Sequence, residues 1–319
     1  MSNNWKRYFV VLRMLRPLHI GYLPFKGSVV SPTRYYVPGR NLWGAFTKQI
    51  TETLHNSPKP LNYREVGRLL RDNMRFSYFF LYDEESSQVY APRYTEQGLF
   101  YGGLSEHEFE GRFISSFVST SIDPEFLRAR YQGLHEIEFI NPHFRDEKGR
   151  IRAVRLAGCI WVGPDADTDT SGVPFNIVEG DDAGVRAKGK VIKRLILGGE
   201  SKYGFGDVEL ERIDSSDCPG ALGDVLSQEP KATLKESTPL PAHLLLDKDF
   251  FEDKDNLSFK GRLELISGRG YFDPDDEKRP SDGKPGSVRW KARHALAPGS
   301  YLMKDNSFEV NWDGVLKKT

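Results

Sequence analysis

The order in which hydrophobic periodicities follow one another along residues 8–213 constrains this chain more than any other feature. Tyr8–Leu15 (YFVVLRML) is a β-branched and aromatic run of strand length. The loop RPLHIGYLPFKGSVVSPT follows, with two glycines and three prolines. Pro38–Gly39 then leads into RNLWGAFTKQITETLH, where Leu42, Phe46, Ile50 and Leu54 recur at i+4 and predict an amphipathic helix. A second helix is expected at Tyr63–Met74, with Val66, Leu69, Leu70 and Met74 on one side and Arg64, Arg68 and Arg71 elsewhere around it. Arg75–Tyr82 has strand composition, and glycine-rich Gly98–Gly111 reads as a loop or bulged edge. Arg112–Thr120, Leu134–Ile140 and Val154–Val162 read as strands. Val185, Ile192, Leu195 and Ile196 return to helical spacing before the strand DVELERI.

Stripped of insertions, this order is strand, helix, strand, strand, helix, strand. It predicts an α+β fold of the ferredoxin-like, split βαβ kind used by RNA-recognition modules. Residues 214–240 are rich in Ser, Pro, Gly, Ala and Glu and read as a linker. Residues 241–319 read as a smaller β-rich domain, with LSFKGRLELIS its clearest strand. A length of 319 residues suits about two domains at ~150 residues each. A hydrophobic fraction of 38% supports a real core and argues against a disordered chain. No apolar run approaches the ~18–20 residues that cross a bilayer. The start, MSNNWKRYFVVLRML, lacks a signal-peptide pattern, so a soluble, cytoplasmic protein is expected.

Formal net charge is zero, yet it is unevenly spread. Residues 1–82 hold 13 basic side chains against three acids, a net +10, and the remainder carries −10. This suggests either a polyanion-facing first third or a basic surface matched by the acidic remainder of the same fold.

Two constellations fit nucleic acid. The first is GGESKYGFG, in which Gly198, Gly199, Gly204 and Gly206 could let backbone N–H groups approach phosphates. Lys202 adds a cation, and Tyr203 and Phe205 offer ring faces to bases. It lacks the P-loop pattern, and a helix-then-strand context would be the reverse of a dinucleotide fingerprint. A helix C-cap followed by a bulged turn would also account for it. The second comprises Arg16, His19, Lys26, Arg34, Tyr35, Tyr36, Arg40, Trp43 and Lys48, around the first loop and the start of the helix after it. Cations interleaved with aromatics suit a single strand, whose exposed bases need stacking partners. Some of these rings must instead fill the core.

His19 could act as a general acid/base in RNA cleavage or simply donate a loop hydrogen bond. No HExxH occurs, and strand alternation sends His135 and Glu136 to opposite faces, so no metal site is expected. GxSxG does not appear. The two cysteines, Cys159 and Cys218, exclude a disulfide scaffold, and Cys159 beside Trp161 reads as a buried, inert thiol. No cofactor is implied.

PLHIG after the first strand, YVPGRNLWGAF at the start of the helix and the late GGESKYGFGDVEL resemble the RAMP superfamily of CRISPR-associated proteins. The Pro38–Gly39 turn and the Gly44–Ala45 pair match that family's first helix. Residues 101–162, with YGG, EFEGRF, VSTSIDP, GLHEIEFI and LAGCIWV, are similar to the large RAMP subunit of type III-D effectors, as are FKGRLELISGRG and APGS. The resemblance implies a non-catalytic subunit that caps the 5′ end of the guide crRNA. Its partners would be the backbone RAMP subunits, the large signalling subunit and, through the assembled complex, target RNA, without a membrane. It implies RNA contacts at Arg16, His19, Lys26, Arg34, Tyr35, Arg40, Trp43 and Lys48 and along the glycine segment. Residues 16–39 hold no Asp or Glu, so the metal-assisted cleavage of backbone RAMP subunits is not expected from that loop. Two alternatives remain: a metal-independent endoribonuclease using His19 on precursor crRNA, or a protein-binding scaffold.

Overall fold

The computed structural model describes residues 5–21, 29–164, 174–215, 218–247, 250, 258–270 and 288–318. In β1 (Lys6–Met14), Tyr8, Val10 and Leu12 enter one core while Phe9 and Val11 enter another. Burial on both faces explains a run that is apolar without alternation. Helices α1 (Gly39–Leu54) and α2 (Pro60–Asn73) follow, within a few residues of expectation. Leu42, Phe46 and Ile50 of α1 and Val66 and Leu70 of α2 supply the stripe that joins the first core. The expected strand at 75–82 is split into β2 (Met74–Phe76) and β3 (Phe79–Asp83). Between them the Ser77 amide donates to the Cys159 carbonyl, and the Ser77 hydroxyl accepts from the Cys159 amide.

The stretch expected as a glycine loop contains α3 (Glu106–Phe113). Ser105 and Glu108 form its capping box, and Phe109 and Phe113 bury its inner side. β4 (Ile114–Asp123) and β5 (Arg128–Ile140) pair as a long antiparallel ribbon, and β6 (Arg155–Val162) returns to the main sheet.

No helix stands at 185–196. β7 (Phe175–Val178), β8 (Gly184–Ala187) and β9 (Lys190–Ile192) form a small antiparallel sheet, and β10 (Arg194–Ile196) pairs with β11 (Asp207–Asp214). The cause is local. Lys188 and Gly189 both have positive φ, 49° and 75°, and close a two-residue hairpin. Val185 and Ala187 then turn inward while Arg186 faces out, a period of two that the 185, 192 and 196 spacing had disguised as helical.

The main sheet runs β10–β11–β1–β6–β3, antiparallel throughout, with β2 also on β6. The helices cover one face. A second sheet covers the other, and the stretch 214–240 contributes to this layer through α4 (Gly220–Val225) and β12 (Lys231–Leu234). It continues through β13 (Leu244–Leu245), β14 (Leu263–Gly270), β15 (Val288–Leu296), β16 (Asn306–Val310) and β17 (Leu316–Lys318), in the order β12–β16–β17–β13–β15–β14. Phe9, Val11, Phe80 and Trp161 of the main sheet share a core with Leu234, Leu244, Leu296, Phe308 and Leu316 of the second. Cys159, expected as an inert thiol, is buried there but is not free, because its sulfur pairs with that of Cys218.

The architecture is α+β and mostly strand. Its layering has one consequence for function: both faces of the main sheet are covered, so any ligand must meet the loops at its ends or the surfaces outside it.

Candidate nucleic-acid interface

The glycine segment connects β10 to β11, so it follows a strand rather than a helix and is not a helix C-cap. Ile196 pairs with Asp207, and the Leu197 amide donates to the Gly206 carbonyl at 2.9 Å. Gly198, Glu200, Gly204 and Gly206 all adopt positive φ, and Ser201–Tyr203 form a 3-10 turn between them. Glycine is required at two places by crowding as well. A Cβ on Gly206 would stand 2.0 Å from the Leu197 carbonyl oxygen, and one on Gly198 would stand 2.2 Å from that of His19. At Gly204 a Cβ would meet nothing within 4 Å.

The loop's amides are largely engaged within the protein. Gly199 donates to the His19 carbonyl (2.9 Å) and Gly206 to the Pro17 carbonyl (2.7 Å). Tyr203 and Phe205 donate to Glu200, and Gly204 donates to Ser201. The glycines therefore shape the loop and moor it to residues 17–19, and these five N–H groups are not offered to a phosphate. What the loop presents is a crest of Ser201, Lys202, Tyr203 and Gly204, all exposed, with Tyr203 at 63%. Arg16 is exposed, and its amide donates to the Asp207 carbonyl just after the loop. Phe205 is half-buried and meets Phe139 of β5 edge to face at 5.3 Å.

The second constellation is mostly internal. Arg34 donates from Nη1 to Glu264 Oε2 (2.8 Å) and to the Tyr36 hydroxyl (2.7 Å). Burial works against its charge, but Tyr36 and Glu264 raise its pKa above the ordinary value. Tyr36 is buried, stacked on Tyr78. Tyr35 is half-buried against Tyr101 and Phe109, and its hydroxyl donates to Glu110 at 2.7 Å. Trp43 is buried, donates from Nε1 to the Gly67 carbonyl at 2.9 Å and packs on Trp312. Arg40 is half-buried and reaches the Ser267 carbonyl of β14 at 3.3 Å. His19 is 4% exposed, with Nδ1 2.7 Å from the Glu138 carbonyl oxygen. Tyr36, Trp43 and His19 are thus buried and Arg34 and Tyr35 half-buried, each with partners inside the protein, where RNA contacts were expected at Arg34, Tyr35, Trp43 and His19. Lys48 is exposed on α1, and Lys26 lies outside the described residues.

Charge pairing follows the same division. Lys6 pairs with Glu179, Arg13 with Glu209 and Arg34 with Glu264, so part of the first third's positive excess is matched by the acidic remainder.

The β4–β5 ribbon, whose strands were expected at 112–120 and 134–140, carries exposed apolar residues outside both constellations. It exposes Phe117, Val118, Ile122, Phe126, Leu127 and Leu134, with Arg128 4.9 Å over the Phe126 ring. Large exposed apolar groups gathered on one ribbon mark an interaction surface more often than scattered ones do. Its base joins the glycine loop through the Phe139–Phe205 contact. The signal was present in alternation that buries neither side fully, SSFVSTSID. No described helix is long and apolar enough to cross a membrane.

The glycine crest and Arg16 thus flank the β10–β11 connection, and the ribbon carrying the exposed apolar groups meets that connection at its base. The fold is similar to that of a chain in the cryo-EM structure of the type III-B Cmr-beta bound to cognate target RNA and AMPPnP, state 1. The TM-score is 0.50 at 13% identity, covering 93% of this chain and 86% of that one. A chain of the type III-B Cmr-beta bound to cognate target RNA matches with TM-score 0.49 and 13% identity over the same shares. No family model and no curated protein matches this chain. At this identity the likeness is one of fold.

Proposed function

We propose that this chain is a non-catalytic RNA-binding subunit of a type III CRISPR ribonucleoprotein, of the large RAMP kind found in type III-D effectors. In this reading it works in the cytoplasm, holds the 5′ end of the guide crRNA and contacts the backbone RAMP subunits and the large signalling subunit. The observation that carries the reading is a fold shared over 93% of the chain with a chain from a target-RNA-bound type III-B complex. The antiparallel order β11–β1–β6–β3 supports the split βαβ element, with the β7–β9 sheet standing where its second helix would lie. Arg16, Lys202 and Tyr203 would meet the strand, since all three are exposed and the Arg16 amide bonds the Asp207 carbonyl just after the loop. The burial of His19, with its Nδ1 held at a carbonyl, supports a role without acid/base chemistry.

The test is to isolate the chain with its native partners, extract nucleic acid and sequence both ends. A short RNA population with one shared 5′ segment, found in the multi-subunit particle, is expected. Particles without RNA would overturn the reading in favour of a protein scaffold. Gly204→Val, with open space around it but at φ 82°, should lower stability by at least about 1–2 kcal/mol and impair guide retention; unchanged retention would remove the loop from the interface.

A further inference from the structure

One polar cluster in the interior extends beyond the Arg34–Glu264 pair. It lies between the main sheet and the second sheet. The Tyr78 hydroxyl donates to His243 Nδ1 (2.7 Å), and His243 Nε2 donates to Glu264 Oε2 (3.0 Å). The same Glu264 oxygen takes the Arg34 guanidinium, which also holds Tyr36. His243 is 1% exposed, and the side chains of Arg34 and Glu264 are 11% and 17% exposed. Each partner has a hydrogen-bonding role suited to neutral His, ionised Glu and charged Arg, so the cluster is satisfied rather than strained.

Arg34 also stands at the root of the interface. Its amide donates to the Ile20 carbonyl (2.7 Å), while the Ile20 amide donates to the Thr33 hydroxyl (2.9 Å). The Thr33 amide donates to the Glu138 carboxylate of the ribbon (3.1 Å), and His19 bonds both the Glu138 carbonyl and, through its own carbonyl, Gly199 of the glycine loop. An unbroken run of bonds therefore leads from β14 through Arg34 to the ribbon base and the loop.

We propose that Arg34 is a positioning residue for RNA binding: anchored by Glu264 of the second sheet, it sets the place of the glycine crest and ribbon without touching RNA. This rests on the RNA-binding reading above. Salt dependence separates the two possible roles, because each phosphate contact to a single strand contributes about 0.7 to the slope of log K against log salt.

The experiment measures binding of a 5′-fluorescein, 20-nucleotide single-stranded RNA of mixed sequence to the full chain from 50 to 300 mM KCl, at a temperature where melting shows each variant folded. Arg34→Gln and Glu264→Gln are each expected to weaken binding about tenfold at every salt concentration with an unchanged slope, and the double variant no more than either alone. Arg34→Lys, which keeps one donor arm, should recover part of the loss. Should Arg34→Gln not fold, Glu264→Gln and Arg34→Lys carry the same test. A lowered slope for Arg34→Gln beside unaltered binding by Glu264→Gln would make Arg34 a phosphate contact and overturn the proposal. Lowered melting temperatures with wild-type affinity would overturn it too, leaving a structural pair. Wild-type chain that binds no RNA would instead overturn the RNA reading itself, and this inference with it.

Discussion

The glycine crest and the Arg34–Trp43 cluster are made of the same materials, cations set among aromatic rings, yet one lies outside the fold and the other inside it. Lys202 and Tyr203 sit on a hairpin connection whose backbone turns back on residues 17–19, and their side chains are exposed. Tyr36 and Arg34 lie beside β3 on the face that the second sheet covers, and Trp43 lies under Trp312. Composition is the same in the two regions. What differs is whether a later segment of the chain comes to cover them, and a guanidinium meeting a carboxylate there becomes a buried pair.

The comparison is broken most directly at Trp43. If its ring fills the core, Trp43→Ala removes a buried indole and its hydrogen bond to Gly67, and should cost about 3–5 kcal/mol. Denaturant unfolding measures it. A variant of native stability that lost only RNA affinity would return Trp43 to the interface.

The glycines sharpen the picture within the loop. Gly206→Ala sets a Cβ 2.0 Å from the Leu197 carbonyl oxygen at φ 86°, so the hairpin must open. Positive φ alone costs an alanine about 1–2 kcal/mol, and the clash adds to it. Gly204→Ala, at φ 82° with open space around it, should show only that smaller term. Equal losses at the two positions would mean that the mooring to Leu197 and Pro17 is not what holds the loop.

Acid tests the buried side of the comparison. Burial lowers the His243 pKa to about 4, while the His243 hydrogen bond and the Arg34 charge outweigh burial and hold Glu264 at about 2. Both folded values lie below the unfolded ones, so the unfolded chain binds more protons and stability must fall as pH falls. The His243 contribution is complete above the unfolded value of 6.5 and is lost between there and about 4; that of Glu264 is lost between 4.5 and about 2. Melting followed from pH 7.5 to 4 should show a loss approaching ~1.4 kcal/mol per pH unit from His243. In His243→Gln that part of the slope should vanish. A His243→Gln profile identical to that of the wild type would show that the histidine is not buried as a neutral donor.

Sequence made the elements with local causes readable. β1 and α1 follow from an apolar run and an i+4 stripe, each ended by proline or turn residues within a few positions. The helix expected at 185–196 failed because Lys188–Gly189, a two-residue turn with both φ positive, was outweighed by a spacing that two periods share. α3 carried its Ser105–Glu108 box in plain view, hidden among glycines. The burial of Arg34 had no local sign, since Glu264 lies 230 residues further on. The crest was legible because glycines under backbone crowding leave a sequence trace, although their amides serve the fold.

The smallest effect is the most telling for the exposed side. Lys202 is exposed and lies on the 3-10 turn of the loop, so Lys202→Ala should change stability by no more than about 0.5 kcal/mol. If Lys202 neutralises one phosphate, RNA affinity falls most at low salt and the slope of log K against log salt decreases by about 0.7. Tyr203→Ala provides the contrast. A stacked ring contributes about 1–3 kcal/mol per base with little salt dependence, so its loss lowers affinity equally at 50 and 300 mM KCl. Affinity measured over that range distinguishes the two side chains on one turn. Parallel, unshifted lines for both variants would mean that the crest faces protein, and that the exposed member of the comparison binds a neighbouring subunit rather than RNA.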